Sequence, residues 1–90
     1  MARKRYHMVI KESCPYCQKA MALLDSKGFA YDTDPMDEDP ELLLEIKKGL
    51  NHNTVPMIWE VQGRDRRFIG GYAELLQYFM KSEKKDLLHG

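Results

Sequence analysis

The chain has two cysteines, both in "SCPYC" and separated by two residues. A thiol pair at this spacing can staple a fold, supply half of a metal site, or carry electrons by thiol–disulfide exchange. The first two uses meet physical obstacles. A disulfide between Cys14 and Cys17 closes a very short loop and removes little entropy from the unfolded chain. A structural zinc site takes four ligands, usually two such pairs or one pair with two closely spaced histidines. His7, His52 and His89 are scattered, and each reads as an ordinary surface or half-buried residue. Exchange chemistry has positive support. Pro15 suits the first position of a helix, where its missing N–H is no loss, so Cys14 falls at the helix N-terminus. Free backbone N–H groups and the positive end of the helix dipole favour a thiolate there. Cys17, about one turn on, stays within reach of the Cys14 sulfur. Cys14 is therefore the expected nucleophile and Cys17 the resolving thiol, with Lys11 adding positive charge just before the loop.

The elements that must position this pair follow from the pattern of the chain. Tyr6 to Ile10 suits a pleated strand. A helix opens at Ser13-Cys14-Pro15, carries Ala20, Met21, Leu23 and Leu24 on one face, and stops at Gly28. Phe29 to Thr33 is the second expected strand. "DPMDEDPELLLEIKKG" then reads as a helix whose acidic start and basic end match its macrodipole. Its expected apolar stripe is Leu42, Leu43, Ile46 and Leu50. Pro56 to Val61 and Arg66 to Ile69 form a hairpin across a turn at Gln62-Gly63-Arg64-Asp65. Gly70-Gly71 ends it, and Tyr72 to Lys81 makes the last helix, with the charged tail "KSEKKDLLHG" at its end. The order βαβαββα predicts an α/β fold: a mixed four-stranded sheet with helices on both faces, its first unit a right-handed crossover with parallel strands.

Ninety residues are expected to form one domain, residues 1–90, and 43% apolar content suffices for a core. Fourteen basic residues balance fourteen acidic ones, which gives no electrostatic reason to expect a nucleic-acid or membrane partner. The basic start, Met1 to Arg5, lacks the apolar run of a secretory signal and reads as a solvated end. No stretch approaches the roughly 20 apolar residues of a membrane span. The expected location is the cytoplasm, where thiols are kept reduced and a close cysteine pair points to catalysis or metal binding.

"CPYC" after a strand and opening a helix resembles the active site of the dithiol glutaredoxins, a family with the thioredoxin-like fold. Three further motifs resemble the family's in order: Lys11 ahead of the cysteines, "Thr54-Val55-Pro56", and "Gly70-Gly71-Tyr72". Together they run from about Tyr6 to Met80. The resemblance implies a monomeric, glutathione-dependent thiol–disulfide oxidoreductase with no permanently bound cofactor or metal. It would reduce protein disulfides and glutathionylated proteins, drawing electrons from glutathione and, through it, glutathione reductase. It also implies glutathione contacts from Lys11, Tyr16, Thr54, Val55, Pro56, Gly71, Tyr72, Ala73 and Glu74. A cis Pro56 would leave the Val55 backbone free to pair with an extended peptide. Gly70-Gly71 would let a carboxylate approach a helix N-terminus.

The chain departs from the family pattern at several places. Ala73 and Glu74 follow "GGY" where a small polar residue and aspartate are usual, and Leu43 stands where a polar residue often meets the glycine carboxylate. Lys47 could substitute from the next turn, although it also reads as a solvated lysine. The hairpin is long and basic, with Arg64, Arg66 and Arg67 solvated or steering a partner protein. Two rival readings follow: a relative reduced by thioredoxin reductase, and a pair of chains sharing an iron–sulfur cluster through Cys14. Pro15 speaks against the second, since cluster-binding relatives tend to have a small residue there.

Overall fold

The computed structural model describes residues 3–89, and side-chain surroundings through residue 81. The element order is β1 (Arg5–Ile10), α1 (Pro15–Lys27), β2 (Tyr31–Pro35), α2 (Pro40–Leu50), β3 (Met57–Gln62), β4 (Asp65–Gly70) and α3 (Tyr72–His89). One sheet has the order β2-β1-β3-β4. β1 and β2 are parallel, with Tyr6 opposite Tyr31, whereas β3 runs antiparallel to both β1 and β4.

Strand alternation divides the core between the two faces of the sheet. Tyr6, Met8, Ile10 and Ile58 meet Cys17, Ala20 and Leu24 of α1 and Leu75 and Phe79 of α3. Val9 and Met57 point the other way, against Met36 and Leu43. Helices thus cover both faces, as the element pattern predicts. Both faces carry rings: Tyr6 stands edge-on to Phe29 and Phe79 at 5.3 and 5.9 Å on the first, and Trp59 meets Phe68 at 5.2 Å on the second.

Several boundaries differ from the sequence expectation: β1 and β4 are longer by a residue at one or both ends, β3 is shifted by one residue, β2 ends at Pro35, and three further differences involve helix ends. β2 starts two residues late because Gly28 takes a left-handed conformation, φ 76°, and closes α1. Phe29 N–H then donates back to the Leu24 carbonyl, so Phe29 belongs to the helix cap. α2 passes through Gly49 and ends at Asn51, which adopts φ 52° and lets His52 N–H donate to the Lys47 carbonyl. Asparagine tolerates this conformation, so the nearer glycine is not needed as the stop. α3 extends to His89 rather than Lys81. What the tail's side chains do, and what Met1 and Ala2 do, falls outside the described residues.

The stripe on α2 also needs correction. Leu43 is buried and Ile46 and Leu50 pack beside it, while Leu42 and Leu44 are 41% and 53% exposed. Leu42 lies one position off the face that meets the sheet.

Candidate active site

β1 ends at Ile10, and a short loop carries the chain to Cys14, whose N–H donates to the Lys11 carbonyl. Cys14 is the N-cap of α1, in extended conformation (φ −95°, ψ 113°), and Pro15 occupies the first turn. Its Sγ accepts the Cys17 N–H at 3.2 Å, so sulfur fills the place a serine or aspartate oxygen takes in an ordinary cap. On its other side Cys14 Sγ lies 3.7 Å from the Val55 carbonyl oxygen, within donating distance for a thiol. Cys14 is partly exposed, whereas Cys17 has no exposed surface and belongs to the α1/α3 core.

That difference in burial controls the second thiol. Burial, then a hydrogen bond to Cys14, push the Cys17 thiol up from 9.0 to about 12. At neutral pH Cys17 is therefore a protonated thiol directed at its neighbour. The pair is one sulfur held at a helix terminus and one proton-bearing sulfur held beneath it.

Opposite the cysteines, the loop after α2 delivers Thr54 and Val55, and the Val55–Pro56 peptide bond is cis. Pro56 is fully buried, which anchors the loop. The third wall is the turn from β4 into α3. Gly70 has φ 127°, a conformation L side chains avoid, and a Cβ there would fall 2.8 Å from Glu74 Cγ. Glu74 curls back over this gap, and its Oε1 accepts the Gly71 N–H at 3.1 Å. This is the reciprocal arm of a capping box, closing α3 at its start. Glu74, expected among the glutathione contacts, therefore has one oxygen engaged within the protein, and one backbone donor of the helix terminus with it.

Tyr16, residues 54–56 and residues 71–74 line a single cleft of about 270 Å³. Eight of the nine residues expected to meet glutathione are thus brought together, from three separate parts of the chain. The Tyr16 and Tyr72 rings stand across it at 6.2 Å. Lys11 is not on its wall; its carbonyl holds the cysteine loop while its side chain is exposed. Leu43 is 3% exposed and Lys47 half-buried, and neither lines the cleft. A larger cavity, about 500 Å³, opens between Arg3–Arg5 and residues 28–30 at the opposite end of the sheet, remote from both cysteines.

His52, which reads from the sequence as an ordinary surface or half-buried residue, has a definite place behind the cleft. Its Nε2 lies 3.2 Å from Thr54 Oγ1, its ring meets Phe68 edge-on at 5.5 Å, and a Cβ on Gly71 would come within 3.6 Å of it. It therefore braces two walls of the cleft from behind. The available signal was its position two residues after a left-handed helix stop and two before Thr54, which is weak without coordinates. Among the described residues, no group of three or more His, Cys, Asp or Glu side chains is placed to hold a metal ion. Nor, among them, is any helix long and apolar enough to cross a membrane.

The Glutaredoxin family model matches residues 7–64, more than half of the chain. The chain belongs to the glutaredoxin family. It is 40% identical over 65 residues to Glutaredoxin 3 of Escherichia coli strain K12, a match covering 72% of this chain and 74% of the relative. The solution structure of a glutaredoxin from Brucella melitensis superposes with a TM-score of 0.66 at 26% identity, covering 93% of this chain and 87% of that one. A buckwheat glutaredoxin, solved as its glutathione complex, superposes with a TM-score of 0.74 at 21% identity, covering 88% and 71%. The fold is thus that of the thioredoxin-like glutaredoxins, and family membership makes the protein a glutathione-dependent thiol–disulfide oxidoreductase.

Proposed function

We propose that residues 1–90 form a single-domain, monomeric dithiol glutaredoxin of the reducing cytoplasm, in which Cys14 attacks and Cys17 resolves. The observation that carries this reading is the setting of Cys14 Sγ, 3.2 Å from the Cys17 N–H and 3.7 Å from the Val55 carbonyl at the edge of the cleft. Only Cys14 combines a helix-terminal sulfur with exposure.

With a glutathione mixed disulfide as substrate, glutathione lies in the cleft along Thr54 and Val55. Its γ-glutamyl carboxylate reaches the backbone N–H groups at the start of α3. The Cys14 thiolate attacks the glutathione sulfur. The old S–S bond breaks, the protein thiol leaves as thiolate and takes a proton, and Cys14 is left glutathionylated. A second glutathione thiolate attacks that glutathione sulfur, releasing oxidised glutathione and restoring Cys14.

With a protein disulfide, Cys14 opens the substrate bond and Cys17 then attacks Cys14 Sγ. The substrate leaves as a dithiol and a Cys14–Cys17 disulfide remains, to be reduced by two glutathiones. Cys17 must lose its proton for this step. Two influences that hold the proton, the hydrogen bond to Cys14 and the Cys14 charge, vanish once Cys14 enters the mixed disulfide, leaving burial as the main barrier. The preceding step thus removes part of what holds the proton on Cys17.

Substitution of each cysteine tests the assignment. Cys14→Ser abolishes reduction of every substrate. Cys17→Ser retains reduction of a glutathione mixed disulfide, because external glutathione resolves it, but loses catalytic turnover of an intramolecular disulfide. Equal inactivity of the two variants on the mixed disulfide would refute the division of labour. Running the assay with glutathione and glutathione reductase beside thioredoxin reductase identifies the electron source.

A further inference from the structure

The glutathione cleft does not end at α3. Glu74 also borders a second groove of about 220 Å³ between β4 and α3, lined by Arg67, Ile69, Gln77, Tyr78 and Lys81. β4 is an edge strand of the sheet, so one side of its backbone has no strand partner. The two cavities adjoin at Glu74, which lines both, so the path of a peptide leaving the Val55 ledge leads past Ala73 and Glu74 into this groove.

The groove has a definite charge. Arg67 follows the alternation of β4 onto the same face as Ile69, toward α3, while Arg66 turns to the other face and stacks over Trp59 at 5.1 Å. The cross-strand partner of Arg67 is Glu60, but that carboxylate already accepts the Tyr6 hydroxyl at 3.1 Å and faces Lys4 at 3.9 Å. Lys4 also donates to the Tyr78 hydroxyl at 3.3 Å. Arg67 forms no ion pair among the described residues. On the walls of the groove, among the described residues, Arg67 and Lys81 face one carboxylate, Glu74, which is already bonded to the Gly71 N–H. A chain with balanced overall charge thus presents, among the described residues, a net positive groove beside its cleft.

We propose that this groove is a docking subsite for the polypeptide of a disulfide substrate, and that it selects acidic side chains flanking the substrate cysteines. The occupant is an extended peptide, because the path starts at the Val55 backbone and runs along an open strand edge. It is acidic, because Arg67 and Lys81 line the groove beyond Glu74. The inference rests on the dithiol reading above.

The test uses two cyclic peptides, each closed by an intramolecular disulfide and identical except for glutamates or glutamines on both flanks. Reduction of a small thiol's glutathione mixed disulfide runs in parallel. Loss of this parallel activity in wild type would overturn the glutathione-dependent reading itself, separately from the groove. At low salt the acidic peptide is expected to show about three- to ten-fold higher kcat/KM, through KM, with the advantage shrinking as salt is raised. Arg67→Glu and Lys81→Glu are expected to erase or reverse the preference, each compared with its own activity on the small disulfide to correct for folding. Equal reduction of the two peptides by wild type overturns the proposal. So does failure to reduce either peptide while the small disulfide is reduced, or an acidic preference that survives Arg67→Glu.

Discussion

Among single residues, Cys17 shows most directly how burial controls reactivity. It has no exposed surface, and its thiol is held up at about 12 by burial and by Cys14. Iodoacetamide at neutral pH is therefore expected to alkylate Cys14 and leave Cys17 untouched in the folded, reduced protein, which mass spectrometry of digested peptides reads directly. The same displacement makes stability depend on pH. A thiol raised in the folded state keeps its proton longer there than in the unfolded chain, so its contribution is complete below pH 9.0 and is lost as pH rises toward about 12. Chemical denaturation of the reduced protein across that interval is expected to show a falling free energy, with a shallower fall in Cys17→Ser. Tyr6, also raised by burial and then by Glu60, adds to the fall in both proteins.

The element that assembles the cleft is the turn between β4 and α3. Gly70 is needed twice over, for its φ of 127° and for the space that Glu74 takes 2.8 Å from where a Cβ would stand. Gly70→Ala is expected to lower the melting temperature and raise KM for glutathione substrates together, since the same turn sets the start of α3 and one cleft wall. Glu74 can be separated into its two contributions. Glu74→Gln keeps an oxygen for the Gly71 N–H and is expected to hold stability while changing glutathione KM by a few-fold at most. Glu74→Ala loses the cap and is expected to cost about 1 kcal/mol in denaturant unfolding. If both substitutions leave stability unchanged, the capping bond contributes nothing in solution.

At the scale of the whole molecule, the two faces of the sheet are unequally packed. Cys17 is set into the face that carries both α1 and α3, whereas α2 alone covers the other through Leu43 and its neighbours. This bears on the departure at Leu43. A polar residue there would be buried against Val9, Met36 and Met57 rather than offered to a ligand. Leu43→Gln is therefore expected to destabilise by about 2 kcal/mol or more, measured by urea denaturation, without improving the KM for glutathione substrates. A lower KM with unchanged stability would show that α2 can turn this residue outward.

The chemistry was legible in short, local features of the sequence. A cysteine before a proline-started helix defines an N-cap thiol from two residues alone, because the geometry of a helix start is local. The element order was legible for the same reason, since hydrophobic period and charge bias act within one element. Two of the boundaries that moved did so at helix caps: Phe29 closes α1 instead of starting a strand, and Asn51 takes the left-handed stop that Gly49 leaves unused. Tertiary structure alone decided the rest. That Leu43 faces inward and Leu42 outward depends on where α2 rests on the sheet. That His52 braces Thr54 and Gly71, and that Arg67 shares a groove with Lys81, depends on bringing together residues distant in the chain or on different elements. Such contacts arise from how strands pair and helices pack, which no single stretch of sequence encodes.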